Sequence, residues 1–306
     1  MPITGVPGTY VGSNFQLKLD GLDAGFLKSV DGGAITAEVI NEPAGPSNLM
    51  KKRIGPPRYE AFTIQLGLWM GNAVYEWIQA AWQMKYVRKN GSIVAYDYNL
   101  EARSEREFSN ALITEVTMPA MDAGSKDQCY MTVKIAPEMV RMKKASGKVT
   151  LPPVTATKEM WLASNFRLEI AGLDCSRVSA IGSFSVRPAA VIDTIGDVRI
   201  PIKESGRIEF PNLSITLAES AAATWTDWFD DFVVKGNNGD DREKSGSLIF
   251  LSPNLQAELG RVNFFNLGIF KFASAKADAA DERIQRVTAD LYCERMELQL
   301  GKLGKT

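Results

Sequence analysis

Carboxylates are the side chains best placed to do chemistry in this chain, because its 306 residues include no histidine. Histidine is the usual general base and the usual transition-metal ligand, so Ser-His-Asp and Cys-His constellations and ordinary zinc sites are excluded together. The acidic candidates are Asp230-Asp231 and Glu101, Glu105 and Glu107. A hydrolase needs two such groups facing each other across a cleft. No spacing here sets up that arrangement, and the acids read as helix or strand-edge surface. Gly236-Asn237-Asn238-Gly239-Asp240-Asp241 superficially suggests a calcium loop, but the D-x-D-x-D-G spacing and terminal Glu are missing, so a polar turn is expected. Lys51-Lys52-Arg53 could meet phosphates, although three charges in a Pro/Gly-rich stretch read first as a solvated or interface loop. Cys129, Cys175 and Cys293 form no C-x-x-C pair and read as buried or half-buried thiols of a reducing compartment. No catalytic, cofactor-binding or metal-ligating residue is therefore assigned.

The elements that must position any site are organised by a repeat. Ser13-Asn14-Phe15-Gln16-Leu17-Lys18-Leu19-Asp20-Gly21-Leu22-Asp23 returns as Ser164-Asn165-Phe166-Arg167-Leu168-Glu169-Ile170-Ala171-Gly172-Leu173-Asp174, a shift of 151 residues. At the same shift Tyr59, Phe62, Ile64 and Leu66 lie over Phe210, Leu213, Ile215 and Leu217. Val74, Trp77, Ile78, Ala81 and Trp82 fall on Trp225, Trp228, Phe229, Phe232 and Val233, which makes one apolar helix face in each copy. Small insertions move the shift to 155 at Gly91/Gly246 and to 156 at Asn110/Asn266. Duplication of this kind puts the same surface to use twice, as rings and tubes require.

Composition agrees with two cores of ordinary domain size: 45% of residues are hydrophobic and 23% charged. Net charge is −1, with no polycationic half built to grip nucleic acid. No apolar run approaches membrane-spanning length, and Met1-Pro2-Ile3-Thr4-Gly5 does not open a signal sequence, so cytosolic synthesis is expected.

Within the first copy, Phe15, Leu17 and Leu19 alternate with polar residues as a strand does. Gly21 to Gly25 reads as a turn and Ala34 to Val39 as the second strand. Asn41 to Arg58 is too rich in Pro and Gly for regular structure and reads as an extended arm, with 193–206 as its counterpart. Strand 59–66, helix 72–84, an Asn90-Gly91 turn, and strands 92–98, 108–117 and 128–135 complete the copy. The expected fold is mainly β: two tandem antiparallel β-barrel or sandwich domains, each with one principal α-helix and a long extended loop. Domains are placed at 1–140 and 161–306, joined by a basic, then Pro-rich linker at 141–160.

The order of Gly55-x-x-x-Tyr59-x-x-Phe62-Thr63-x-x-x-Gly67, the helix with Trp77, Asn90-Gly91-Ser92-Ile93-Val94, Asn110-Ala111, Met121-Asp122-Ala123 and a last strand ending near Glu138 resembles the tail-tube proteins of contractile bacteriophages and related contractile injection systems. The resemblance spans nearly all of residues 10–140 and, more weakly, 161–300. It implies a structural, non-enzymatic subunit without cofactor, which joins strands with its neighbours into hexameric rings stacked around a lumen that passes DNA or protein cargo. Partners implied are the chain itself, tail sheath and baseplate proteins, and the implied location is a virion tail assembled in a bacterial host cytoplasm. Two domains per chain leave open three chains per pseudo-hexameric ring or six chains spanning two layers. By analogy the assembly arms are Asn41, Pro43, Pro46, Leu49, Lys51, Lys52, Arg53 and Ile54, and Ile195, Val198, Arg199 and Ile200. Alternatives are a tube initiator or baseplate hub that adapts trimeric to hexameric symmetry and, in another class, a carboxylate-based hydrolase or carbohydrate-binding module.

Overall fold

The computed structural model describes residues 14–43, 50–149, 160–193, 202–274 and 285–300. The first half contains β1 (Asn14–Leu19), β2 (Leu22–Leu27), β3 (Ser29–Gly32), β4 (Ile35–Pro43), β5 (Met50–Tyr59), β6 (Phe62–Leu66), α1 (Asn72–Trp82), β7 (Lys89–Tyr96), β8 (Ala102–Met118), β9 (Met121–Asp122), β10 (Met131–Ala136) and β11 (Met139–Lys144). The second half contains β12 (Phe166–Ile170), β13 (Val178–Ile181), β14 (Phe184–Asp193), β15 (Ile202–Glu209), β16 (Leu213–Ala218), α2 (Ala223–Phe229), β17 (Lys244–Leu251), β18 (Glu258–Ser274) and β19 (Arg286–Leu300). A π-helical turn over Asp230–Val234 prolongs α2. The protein is mainly β, and among the described residues the strand pairs are antiparallel.

The repeat read from the sequence is a repeat of strand register. Leu17 faces Ile93 as Leu168 faces Leu248. Val30 faces Ile64 as Ile181 faces Ile215. Val133 faces Ile64 as Ala289 faces Ile215, and Val140 faces Phe108 as Met296 faces Phe264. A one-residue slip anywhere would have turned buried side chains to solvent, so burial pins the ladders in both copies. The matched asparagines Asn110 and Asn266 both take the left-handed backbone conformation, with φ of 50° and 55°. Asparagine tolerates that conformation. In β8 it lies where pairing with β7 and β11 gives way to pairing with β10.

In the first half β8 is the shared element. Its first part lies between β7 and β11, and its last part pairs with β10. The second copy runs β19 as one strand where the first has β10 and β11, because Pro137 stands where the second has Cys293. Proline has no N–H for the ladder and interrupts it. Apolar faces of strands and helices meet in one contiguous core that includes Trp77 and Trp82 of α1 and Trp225 and Trp228 of α2.

Several sequence expectations are corrected. The turn after β1 is only Asp20-Gly21, with φ of 49° and 83°, and Leu22–Leu27 is already the returning strand. Both residues have positive φ, the requirement of a tight two-residue hairpin. Asn90-Gly91 is no turn, since it lies inside β7. A Cβ on Gly91 would come within 2.3 Å of the Lys18 carbonyl oxygen and 2.5 Å of the Phe108 ring. Its copy Gly246 meets the Glu169 carbonyl oxygen at 2.5 Å. Glycine is needed there for close packing and not for turning. The arms, expected to lack regular structure, are β-hairpins, β4 with β5 and β14 with β15. Residues Met139–Lys144, expected in part as linker, form β11 against β8.

Candidate functional site

The carboxylates singled out as possible acids and bases each have a local partner. Glu101 pairs with Arg103 at 2.8 Å, and Glu105 accepts from the Ser92 hydroxyl at 2.6 Å. Glu107 pairs with Lys143. Asp230 pairs with Lys235 at 2.9 Å, and Asp231 accepts from Asn237 at 2.8 Å. Among the described residues no three His, Cys, Asp or Glu side chains gather as a metal site would need. Burial raises the thiols of Cys129, Cys175 and Cys293 to about 11, and none is in a disulfide.

On the helices, Val74, Trp77, Ile78 and Trp82, and Trp225, Trp228 and Phe232, are buried, while Phe229 is half-buried. Trp77 donates its indole N–H to the Val87 carbonyl at 2.8 Å, and Trp225 donates to that of Asp174 at 2.8 Å. Both helices are thus fastened to their own halves. Of the arm residues, Asn41, Pro43, Lys51, Lys52, Arg53 and Ile54 stand exposed on the β4–β5 hairpin, with Arg53 paired to Glu42 at 2.8 Å. Pro46, Leu49, Ile195, Val198, Arg199 and Ile200 lie outside the described residues.

The feature that sequence reasoning missed is the contact between the halves. The base of the second arm extends the first half's sheet. On β14, Phe184, Ser185 and Val186 face Met118, Thr117 and Val116 of β8. The Ser185 and Thr117 hydroxyls lie 2.7 Å apart, and the Ser183 hydroxyl donates to the Met118 carbonyl at 2.8 Å. Arg187 donates to Glu115 at 2.8 Å, and Lys134 reaches the other Glu115 oxygen at 2.6 Å. Burial alone would raise the Glu115 pKa, but the bonds from Lys134 and Arg187 outweigh it and hold the carboxyl below its ordinary value.

Beside this ladder β13 pairs with β9, Ala180 opposite Asp122 and Ile181 opposite Met121. A backbone hydrogen bond from the Cys129 N–H to the Trp161 carbonyl at 2.8 Å continues the contact. On the far side α1 lies against β19, and Gln79 donates its side-chain amide to the Leu298 carbonyl at 2.8 Å. One half offers a strand edge and a helix, while the other offers an arm base and a strand end. Such a contact is heterologous, and repetition of it closes rings or grows filaments.

Fold and contact together define a mainly β protein in which a strand of one half is added to the sheet edge of the other. Residues 11–141 match the family model of the T4-like virus tail tube protein gp19, the family that the sequence resembles over the same stretch. Comparison with curated proteins gave no match. Among solved structures, the chain is similar to a component of the sheath-tube complex of PVC, an extracellular contractile injection system, in its extended state, at 22% identity and TM-score 0.41 over 46% of this chain and 95% of that one. It is similar to the tube-terminating cap of the anti-feeding prophage at 25% identity and TM-score 0.41, over 47% of this chain and 97% of that one. For Hcp1 from Flavobacterium johnsoniae the figures are 15% and 0.27, over 45% of this chain and 100% of that one.

Proposed function

We propose that this chain is a structural subunit of the inner tube of a contractile phage tail or phage-like injection system. Its two tube-type units, at 1–140 and 161–306 with a linker near 141–160, join edge to edge with others into rings that stack around a channel. DNA or protein passes through without sequence-specific contact, sheath and baseplate proteins bind outside, and no catalytic step is involved. The particle is a virion tail or its derivative, built in a bacterial cytoplasm. The observation that carries this reading is the strand addition of β14 to β8, which uses an arm to complete a neighbouring unit's sheet edge. The family match over residues 11–141 supports the same role.

Negative-stain electron microscopy with mass photometry on the purified chain tests it. Rings or tubes with a central hole, at a mass of three or six chains per ring, are expected. A chain that stays single at every salt and protein concentration tried refutes the proposal.

A further inference from the structure

The interior contact between the halves has an unoccupied copy on the outside of the same chain. The register repeat locates it. Phe184, Ser185 and Val186 correspond to Gly33, Ala34 and Ile35, while Val116, Thr117 and Met118 correspond to Phe272, Ala273 and Ser274. Among the described residues, Phe272, Ala273 and Ser274 pair with β19 on one edge and with no strand on the other.

Burial follows occupancy position by position. Val186 is 0% exposed, but its counterpart Ile35 is 43% exposed. Leu298 is 1% exposed against 67% for Met142, and Trp82 is 3% exposed against 41% for Val233. In each pair the covered residue lies on an element that takes part in the interior contact, and the bare one lies at the matching place in the other copy. Apolar groups left bare in this pattern are explained when a matching surface covers them. Ala34 itself bonds to its own arm, its N–H to the Glu60 carboxylate at 3.2 Å and its carbonyl to the Glu60 N–H at 2.9 Å.

From this correspondence we infer that a second copy of this chain docks head to tail, its Gly33-Ala34-Ile35 segment, which leads into β4, adding to the Phe272-Ala273-Ser274 edge, so that first and second halves alternate within one ring. The inference rests on the tube reading and decides between its two stoichiometries: a ring of six units then contains three chains. The two-layer arrangement would need second halves to contact one another. The second half's arm base is already spent on its own first half. Charge opposes that arrangement too. Lys271 stands at the place of Glu115, so a contact between second halves would set Lys271 against Arg187, whereas the inferred contact sets it against Thr36. Like charges directly opposite are destabilising.

The test is a disulfide between Ala34→Cys and Ala273→Cys introduced together, since directly opposed strand residues lie within bridging distance. Oxidation of assembled protein is expected to give two-chain and three-chain species on a non-reducing gel, ending at a closed trimer. Neither single variant should give the ladder. The pair Thr117→Cys with Ser185→Cys should close within one chain and leave its mass unchanged. Rings or tubes seen by microscopy in which the Ala34→Cys, Ala273→Cys double variant forms no crosslink between chains overturn the inference and leave the tube reading standing. Failure to assemble at all overturns both. Ile35→Asp and Met142→Asp, at sites bare in the single chain, should abolish rings while keeping the single chain's melting temperature, and rings that persist in both count against the inference.

Discussion

Leu298 and Met142 occupy the same place in the two copies, yet Leu298 is 1% exposed and Met142 67% exposed. The difference lies in α1, which covers the end of β19, whereas nothing within the described chain covers β11 in the same way. Removing the Leu298 side chain in Leu298→Ala takes away three buried carbons, about 2.4 kcal/mol at ~0.8 kcal/mol per methylene. The cavity left behind raises the cost to about 3 kcal/mol or more. Met142→Ala in the single chain should cost within about 0.5 kcal/mol, the ordinary range for a surface substitution. Urea titration at concentrations where mass photometry finds single chains reads both. Tryptophan fluorescence suits the assay because Trp77 and Trp82 report the first half and Trp225 and Trp228 the second. With a urea slope of roughly 2–3 kcal/mol/M, the Leu298→Ala midpoint should fall by about 1 M or more. Equal costs for the two substitutions, or a cost for Leu298→Ala below about 1 kcal/mol, would refute the argument that contact between the halves distinguishes these positions.

Gly91→Ala and Gly246→Ala should each destabilise by about 1–3 kcal/mol, because the added Cβ meets carbonyl oxygens at 2.3 Å and 2.5 Å that belong to backbone and cannot turn away; thermal unfolding of each variant checks this. Glu115 titrates below its ordinary value of 4.5, so its contribution is full above that pH and is lost as pH falls through the lower folded value. Acid unfolding of the wild type below pH ~4.5 should therefore include a component absent from Glu115→Gln, and identical acid profiles would contradict it. Cys129, Cys175 and Cys293, raised to about 11 by burial, should react slowly with a thiol reagent at neutral pH and quickly in denaturant. Equal rates in the two conditions would show that the thiols are not protected by the fold.

Legibility in the sequence followed the range of the interaction responsible. Alternation in β1 and β6 and the apolar stripe of α1 are local consequences of burying one face, and they were readable residue by residue. The arms misled because Pro43, Pro46, Pro56 and Pro57 depress strand propensity locally, although β4 and β5 supply one another's ladder. Asn90-Gly91 carries the composition of a hairpin turn, but Gly91 answers to Lys18 and Phe108, distant in sequence.

By itself the sequence determined the duplication, the mainly β class, the two helices and the absence of histidine chemistry, since repeat spacing, side-chain periodicity and composition are properties of the chain as written. Only the tertiary structure decided that β14 crosses from its own half to the edge of β8. Nothing local distinguishes Val186 from Ile35 as strand residues. One is buried and the other bare because of which surface has come to lie against it, and that is settled by long-range packing between the halves.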